Sequence, residues 1–192
     1  MKKAGRSMIT LMDYMIGFHC APALRGIKVA NLVAVPRNLD DMISGVLTTY
    51  NSKFNQRGLF FYELCHCARR RLLLVFRKNM LESYLRRPAN LEFLARYGYD
   101  ASETLEVWLQ RLKARLEESV DFPHEIGLFL GYPLADVEAF IQTKGEGYKL
   151  CGEWKVYSNV VSAKLSFHCF QACRDFCHNA LLNGKQLESL IA

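Results

Sequence analysis

The sequence predicts an α+β fold in which a small, mostly antiparallel sheet of about four strands is backed by several helices. Four short apolar or aromatic runs lack the length of a helix, whereas the segments between them repeat apolar residues at helical spacing. The 192 residues contain no internal repeat and no low-complexity linker, and 51% of them are hydrophobic. We therefore expect a single domain, residues 1–192, with one substantial core.

The first part of the chain favours helices. Apolar residues at helical spacing predict a first helix capped by Ser7. Pro22 suits the first turn of a second helix, which we extend through Val33 and end at Pro36. A third helix is expected to start near Asp40. The sheet is therefore expected to begin only after this region.

The middle of the chain changes from helical to extended patterns. The aromatic and apolar runs 59–64 and 71–76 predict a β-hairpin, and two further strands are expected at 126–130 and 152–157 in the same sheet. Helical spacing predicts the remaining elements, at about 80–85, 91–97, 102–118, 134–142 and 160–182. The hairpin is therefore the start of the predicted sheet.

The composition favours a soluble, cytoplasmic protein. Seven cysteines, an odd number, suit free thiols in a reducing compartment better than a disulfide framework. The N-terminus has the basic and then apolar order of a signal peptide, but Asp13 interrupts the apolar run. No apolar stretch is long enough to span a bilayer. We therefore expect no membrane association.

The formal charge of +6 at pH 7 is compatible with an anionic partner. Basic clusters at 69–71 and 86–87 would suit nucleic acid, yet no RRM, KH, helix-turn-helix or zinc-finger pattern accompanies them. A solvated hairpin turn and a helix surface explain these clusters better. Nucleic acid is therefore not the expected partner, and the sequence indicates no particular protein partner.

Several segments carry a resemblance to a known family. They are Phe122–Val137 (FPHEIGLFLGYPLADV), Gly152–Tyr157 (GEWKVY), His19–Pro22 (HCAP), Gly26–Lys28 and Asn31–Leu32. In this order and spacing they resemble an uncharacterised bacterial family, common in clostridia, that is catalogued as domain of unknown function 3793. The resemblance runs over nearly the whole chain and implies no established activity. The iron-uptake and flavodoxin genes near members of the family suggest iron or redox physiology.

A cysteine and a histidine form the first candidate site. Cys20 precedes the helix start at Pro22, where backbone amides and the helix dipole favour a thiolate. His124 precedes a predicted strand, and Glu125 is a candidate for orienting its imidazole. These catalytic candidates predict a cysteine-dependent hydrolase or transferase. We favour the alternative, a buried Cys20 and a capping or hydrogen-bonded His124, because the two residues lie far apart in sequence.

Basic and phenolic side chains form the second candidate site, a polar cleft for a small anionic ligand. The candidate ligand-binding residues mostly flank predicted helix and strand ends and are His19, Lys28, Asn31, Tyr132, Lys155 and Tyr157. Tyr132 leads into a helix N-terminus, where free amide groups bind phosphate or carboxylate. Neither a Walker nor a dinucleotide-binding motif is present. The alternative is a strand-to-helix turn with surface lysines.

The clustered cysteines invite a metal interpretation, which their spacing does not favour. Cys65 and Cys67 form a CxC pair rather than the CxxC loop of zinc and iron–sulfur sites. Cys169, Cys173 and Cys177 repeat every four residues along one predicted helix face. We therefore expect no metal ligands and assign the three helix thiols to the core.

Two hypotheses of different classes remain. The first is a small cytosolic enzyme or ligand-binding protein with Cys20 as its most reactive group. The second is a non-enzymatic interaction or regulatory module that uses the same surface. The sequence indicates no substrate, cofactor or oligomeric state. Whether Cys20 and His124 share an open cleft is the geometric test between the hypotheses.

Overall fold

A three-stranded antiparallel sheet lies at the centre of the computed structural model, which describes residues 2–36, 39–67, 70–118 and 122–192. Its strands are β1 (Ala30–Val35), β2 (Leu59–Cys67) and β3 (Arg70–Arg77), and β3 lies between the other two. A separate antiparallel ribbon contains β4 (Leu150–Cys151) and β5 (Lys155–Val156).

The helices are α1 (Lys2–His19), α2 (Ala21–Leu24), α3 (Asp40–Phe54), α4 (Lys78–Leu85), α5 (Pro88–Ala95), α6 (Leu105–Glu118), α7 (Ile126–Phe129), α8 (Leu134–Thr143) and α9 (Val160–Leu182). Within the described ranges, 3-10 helices lie at Asn55–Arg57 and Leu187–Leu190. No helix within the described ranges is long and apolar enough to cross a membrane. The predicted α+β class is confirmed.

The predicted hairpin is also confirmed, because β2 and β3 pair in antiparallel register with Phe60 opposite Phe76. The two rings stack with their centroids 5.6 Å apart. Side chains alternate along β3, so Leu73 and Val75 lie in one core while Leu74 and Phe76 lie in another. Since both faces of the central strand are apolar, helices cover the sheet on both sides.

The two cores divide the helices between the faces of the sheet. The first core is formed by β-strand residues with α1, α2, α3, α9 and the C-terminal 3-10 helix, and includes Ile16 and Cys177. The second core is formed with α4, α5, α6, α7 and α8 around the buried Trp108. The sheet is thus the middle layer of three, and residues on its opposite faces belong to different cores.

The second predicted helix is wrong beyond its first turn. The chain makes one helical turn after Pro22, bends at Gly26 with φ +70°, and then enters β1. In β1, Leu32 pairs with Leu74 of the central strand. The β-branched residues of this segment suit a strand, and pairing along the whole of β3 outweighs its helical spacing.

The predicted strand at 126–130 is also wrong. Ile126–Phe129 is the short helix α7, which follows Pro123 and is terminated by Gly131 at φ +76°. A short apolar run does not by itself distinguish a strand from a buried helical turn. The last predicted strand exists as β5, but it pairs with β4 in the separate ribbon and not with the central sheet.

Candidate functional site

A polar pocket of about 320 Å³ lies where the end of α1, the start of β1, the α7–α8 turn and α9 meet. We define it by its lining residues, Phe18, His19, Lys28, Asn31, Leu32, Leu130, Tyr132, Glu153 and Arg174. Four of the six predicted ligand-binding residues are among them. The structure therefore brings together residues that lie more than a hundred positions apart.

Lys28 is the most unusual group in the polar pocket. The residue is only 7% exposed, and its ammonium lies over two aromatic rings, 5.2 Å from the centroid of Tyr132 and 5.4 Å from that of Phe170. Among the described residues, none forms a hydrogen bond or an ion pair with its Nζ. Burial lowers the pKa of Lys28 to about 8, although the Glu153 carboxylate partly opposes this effect.

The backbone around α2 fixes the position of Lys28. The amide N–H of Lys28 donates to the Pro22 carbonyl at 3.2 Å, so the chain folds back over the end of α2. The side-chain oxygen of Asn31 accepts a hydrogen bond from the amide of Ala23 at 3.1 Å. These two contacts connect the helical turn to β1 and hold Lys28 against the pocket wall.

Tyr132 forms the wall between the polar pocket and a second pocket. Its ring stacks on Trp154 at a centroid distance of 5.2 Å, and burial raises the pKa of its hydroxyl to about 12. The carbonyl of Tyr132 accepts a hydrogen bond of 2.5 Å from the hydroxyl of Tyr84. Gly131, just before it, lies so close to Val29 that a Cβ atom would be 2.7 Å from a valine methyl. The position of Tyr132 is thus determined by its neighbours on three sides.

The charges of the polar pocket sum to a positive value. Arg174 on α9 forms an ion pair with Glu153 in the β4–β5 turn, and both side chains are largely buried. The carboxylate is therefore already paired, and Lys28 adds a second cation. With His19 counted as neutral, the pocket holds two positive groups and one negative group.

The apolar pocket, of about 270 Å³, lies on the other side of Tyr132. Its lining residues are Phe122, His124, Ile126, Gly127, Leu130, Tyr132, Asp136, Val137, Phe140, Trp154 and Lys155. His124 is exposed and packs edge-on against Phe140 with ring centroids 5.1 Å apart. The ammonium of Lys155 donates to the Gly145 carbonyl at 2.7 Å. Two predicted site residues therefore line this pocket rather than the polar one.

Asp136 is a residue that the sequence analysis did not identify. It is 2% exposed and accepts hydrogen bonds from Trp154 Nε1 at 2.7 Å, from the Tyr157 amide at 2.9 Å and from the Ser158 amide at 2.8 Å. Burial alone raises the pKa of its carboxyl, but these hydrogen bonds outweigh burial and lower it. In sequence, Asp136 resembles an ordinary aspartate in the first turn of a helix, which stabilises that helix. Its hydrogen bonds to the β4–β5 ribbon are therefore visible only in the structure.

Tyr157 interacts with Asp136 through its backbone amide. Its hydroxyl lies 3.5 Å from the Thr143 hydroxyl, and Tyr157 lines neither the polar nor the apolar pocket. Asn159 accepts a hydrogen bond from the Ser162 amide at 3.0 Å and caps α9. The two residues thus stabilise the ribbon and α9.

Cys20 does not lie in the thiolate-favouring environment expected from the sequence. It is completely buried in the first core, and burial raises the pKa of its thiol to about 12, which the nearby Lys28 only partly opposes. His124 is exposed, packs against Phe140 and lines the apolar pocket together with Ile126 and Val137 of the second core. Cys20 and His124 therefore do not share an open cleft, because Cys20 has no exposed surface.

Glu125 is a buried structural carboxylate rather than a partner of the His124 imidazole. It has no exposed surface, and its Oε1 accepts a hydrogen bond from Nε of Arg115. The Glu125 carboxylate also lies beside the buried hydroxyl of Tyr99, whose pKa is raised first by burial and then by this charge. The ion pair holds the start of α7 against α6, so the role of Glu125 is in packing.

The cysteines of α9 differ from one another in exposure. Cys177 is buried in the first core, Cys173 is partly buried, and Cys169 is exposed to solvent. The expectation that all three belong to the core is therefore wrong for Cys169, because α9 lies on the surface and only one of its faces is covered. Among the described residues, no three His, Cys, Asp or Glu side chains are grouped in a way that could hold a metal ion.

Comparison with known proteins gives one match. A family model described as "Protein of unknown function (DUF3793)" matches residues 16–191. No curated protein and no solved structure matches the chain. All residues that line the polar and apolar pockets lie within the matched range.

Proposed function

We propose that this chain, which belongs to the DUF3793 family, binds a small organic anion in the polar pocket, with Lys28 as the counter-charge. The observation that carries the proposal is Lys28, a residue only 7% exposed whose ammonium contacts two aromatic rings and has no ion-pair partner among the described residues. The ligand is a carboxylate or a phosphate, because both complete the charge of this group.

The energetic argument begins with the cost of burying a cation. An ammonium removed from water loses hydration, and the two cation–π contacts contribute only about 0.5–1 kcal/mol each at a side chain that faces a pocket. A fold that needed only to be stable would place an apolar residue at this position. An anion bound beside Nζ would convert this unfavourable charge into an ion pair in a partly desolvated site.

The shape and lining of the pocket restrict the ligand. Its volume of about 320 Å³ suits a molecule of a few to about fifteen heavy atoms. Phe18, Leu32 and Leu130 offer apolar contact, while Lys28 and Arg174 offer positive charge. We therefore propose an anion that carries a small apolar or aromatic group rather than an inorganic ion.

The proposal does not include cysteine catalysis. Cys20 has no exposed surface, and its thiol pKa of about 12 leaves it protonated at physiological pH. A buried neutral thiol cannot reach a ligand in the pocket. Of the two hypotheses derived from the sequence, a binding or regulatory module is therefore the one we propose.

The test is calorimetric titration of the protein with benzoate, phenyl phosphate and inorganic phosphate at pH 7. We expect benzoate or phenyl phosphate to bind more tightly than inorganic phosphate. Lys28→Met should weaken that binding at least tenfold, because it removes the counter-charge while preserving the length of the side chain. Lys149→Met, at an exposed position outside both pockets, is the matched control and should bind as the wild type does.

The pH dependence gives an independent check. Since an anion prefers the protonated ammonium and the pKa of Lys28 is about 8 in the free protein, affinity should fall as the pH rises above 8. Absence of binding by all three probes, or equal affinity of wild type and Lys28→Met, would overturn the proposal. Constant affinity up to pH 10 would contradict the role of Lys28.

A further inference from the structure

A stripe of apolar side chains runs along the solvent-facing side of α9. We define the α9 stripe as Val161, Leu165, Cys169, Ala172 and Phe176, whose separations of four, four, three and four residues place them on one helix face. Val161, Leu165 and Phe176 are 72%, 65% and 49% exposed, and Cys169 and Ala172 are exposed as well.

The opposite face of α9 already has its packing partner. Phe170, Cys177 and Ala180 are buried on that side, where α9 packs against α1 and α2. The stripe is therefore additional to the face that stabilises the fold. A continuous exposed apolar surface of this kind is typical of an interaction site rather than of scattered surface residues.

We infer that the α9 stripe is the interface of a homodimer in which α9 packs antiparallel against α9 of a second copy. Leu165 and Phe176 are equally far from the point midway between residues 170 and 171, and so are Cys169 and Ala172. A two-fold axis at that point places Leu165 opposite Phe176 of the second copy. It also places Cys169 opposite Ala172, so the surface is complementary to itself.

The sizes of the side chains suit this arrangement. The two small residues, Cys169 and Ala172, lie next to the proposed axis, where they allow the helix backbones to approach closely. The larger residues, Leu165 and Phe176, lie about one turn further out on each side and fill the space where the helices diverge. The order of large, small, small and large is what an antiparallel helix crossing requires.

Charge complementarity identifies a second copy as the occupant. Lys164 directly precedes Leu165, and Asp175 directly precedes Phe176, so the two charged residues lie on the same flank of the stripe. Both are exposed; the carboxylate accepts one hydrogen bond from Gln171 at 2.8 Å. In an antiparallel pair this flank of one α9 faces the same flank of the other α9. Along the helix axis, Lys164 of one copy is then offset by only about 3 Å from Asp175 of the other.

In a parallel pair each flank faces the opposite flank of the partner helix, so Lys164 of one copy does not meet Asp175 of the other. The antiparallel pair instead forms two symmetry-related ion pairs between Lys164 and Asp175. The charge pattern therefore selects the antiparallel orientation. None of the stripe residues lines the polar pocket, so this inference does not depend on the proposed ligand.

The test uses the full chain in sedimentation equilibrium and light scattering. We expect the wild type to have about twice the monomer mass of 22.1 kDa at micromolar concentration. Leu165→Glu should give the monomer mass with an unchanged circular dichroism spectrum. Met80→Glu, at an exposed apolar position on α4 outside the stripe, is the control and should leave the dimer intact.

A charge exchange distinguishes this dimer from any other. Lys164→Asp or Asp175→Lys alone places two like-charge pairs across the axis and should weaken dimerisation at least tenfold. The double variant K164D/D175K restores opposite charges and should recover the wild-type dissociation constant. A wild type that remains monomeric at 100 µM, or a double variant that fails to recover, would overturn the antiparallel α9 dimer.

Discussion

Replacing Lys28 by methionine is expected to stabilise the fold at neutral pH, although it removes the group on which the proposed ligand binding depends. The physical reason is that Lys28 is charged in the unfolded chain and resists being charged in its buried position. Methionine has a similar length and fills the same space against the rings of Tyr132 and Phe170 without a charge. The substitution therefore separates stability from binding.

The magnitude follows from the two pKa values. Burial lowers the pKa of Lys28 from 10.5 to about 8, and each tenfold change in proton affinity corresponds to about 1.4 kcal/mol. At pH 7 the charge on Lys28 therefore destabilises the folded state by about 3 kcal/mol, compared with an uncharged side chain at the same position. Because methionine loses the two cation–π contacts, the expected net gain is about 1–2 kcal/mol.

The pH dependence has a definite sign. The folded pKa is lower than the unfolded pKa, so between pH 8 and 10.5 the unfolded chain binds more protons and the wild type gains stability as the pH rises. The advantage of Lys28→Met should therefore be largest at pH 7 and should fall by about half or more at pH 9.5. Lys149→Met, at an exposed site, should show a nearly constant difference over the same range.

The measurement is equilibrium urea unfolding of the three proteins at pH 7 and at pH 9.5, with ligand-free protein. An unchanged m-value would confirm that the variant unfolds from the same compact state. If Lys28→Met is less stable than the wild type at pH 7, or if the difference does not shrink at pH 9.5, then Lys28 is not a desolvated cation and the argument for the anion site is refuted.

Three further predictions concern the framework of the site. Asp136→Asn should lower the free energy of unfolding by about 2–3 kcal/mol in urea titrations, because its amide nitrogen cannot accept the hydrogen bond that the carboxylate accepts from the Trp154 indole N–H. Since folding lowers the pKa of this carboxyl, the stabilisation by Asp136 is present above the unfolded pKa of 3.8 and should be lost as the pH falls through the folded pKa. Gly131→Ala should destabilise the fold more than Gly147→Ala in thermal unfolding. Both glycines have positive φ, but only at Gly131 would a Cβ atom meet another side chain, that of Val29 at 2.7 Å. Equal effects of the two substitutions would contradict this packing. Under native conditions iodoacetamide should label Cys151, which is exposed and lies outside the α9 stripe, and leave Cys20 unmodified up to pH 9, as read by peptide mass spectrometry. Rapid native labelling of Cys20 would contradict its burial.

Elements whose evidence is local could be predicted from the amino-acid sequence. The hairpin of β2 and β3 was predictable because two short aromatic runs flank a polar turn, and the last helix was predictable over its observed bounds, Val160–Leu182. The sequence also predicted a ligand-binding site of six residues. Four of them, His19, Lys28, Asn31 and Tyr132, line the polar pocket, whereas Lys155 and Tyr157 do not.

Other features depended on contacts between distant segments. The segment after Pro22 became β1 because the free edge of β3 offered a partner along its whole length, which outweighed the helical spacing of its apolar residues. The run at 126–130 became α7 because a four-residue apolar run suits either structure, and packing decides between them.

The chemistry of the candidate residues depends on the tertiary structure. Cys20 does not have the predicted reactivity because it is completely buried in the first core, and burial disfavours a thiolate more strongly than one neighbouring lysine favours it. Lys28 became the central group because Tyr132 and Phe170, from distant parts of the chain, remove water from its ammonium. The pKa of a side chain depends on its desolvation and on charges within a few ångströms, and these arise from the folded arrangement rather than from neighbours in sequence.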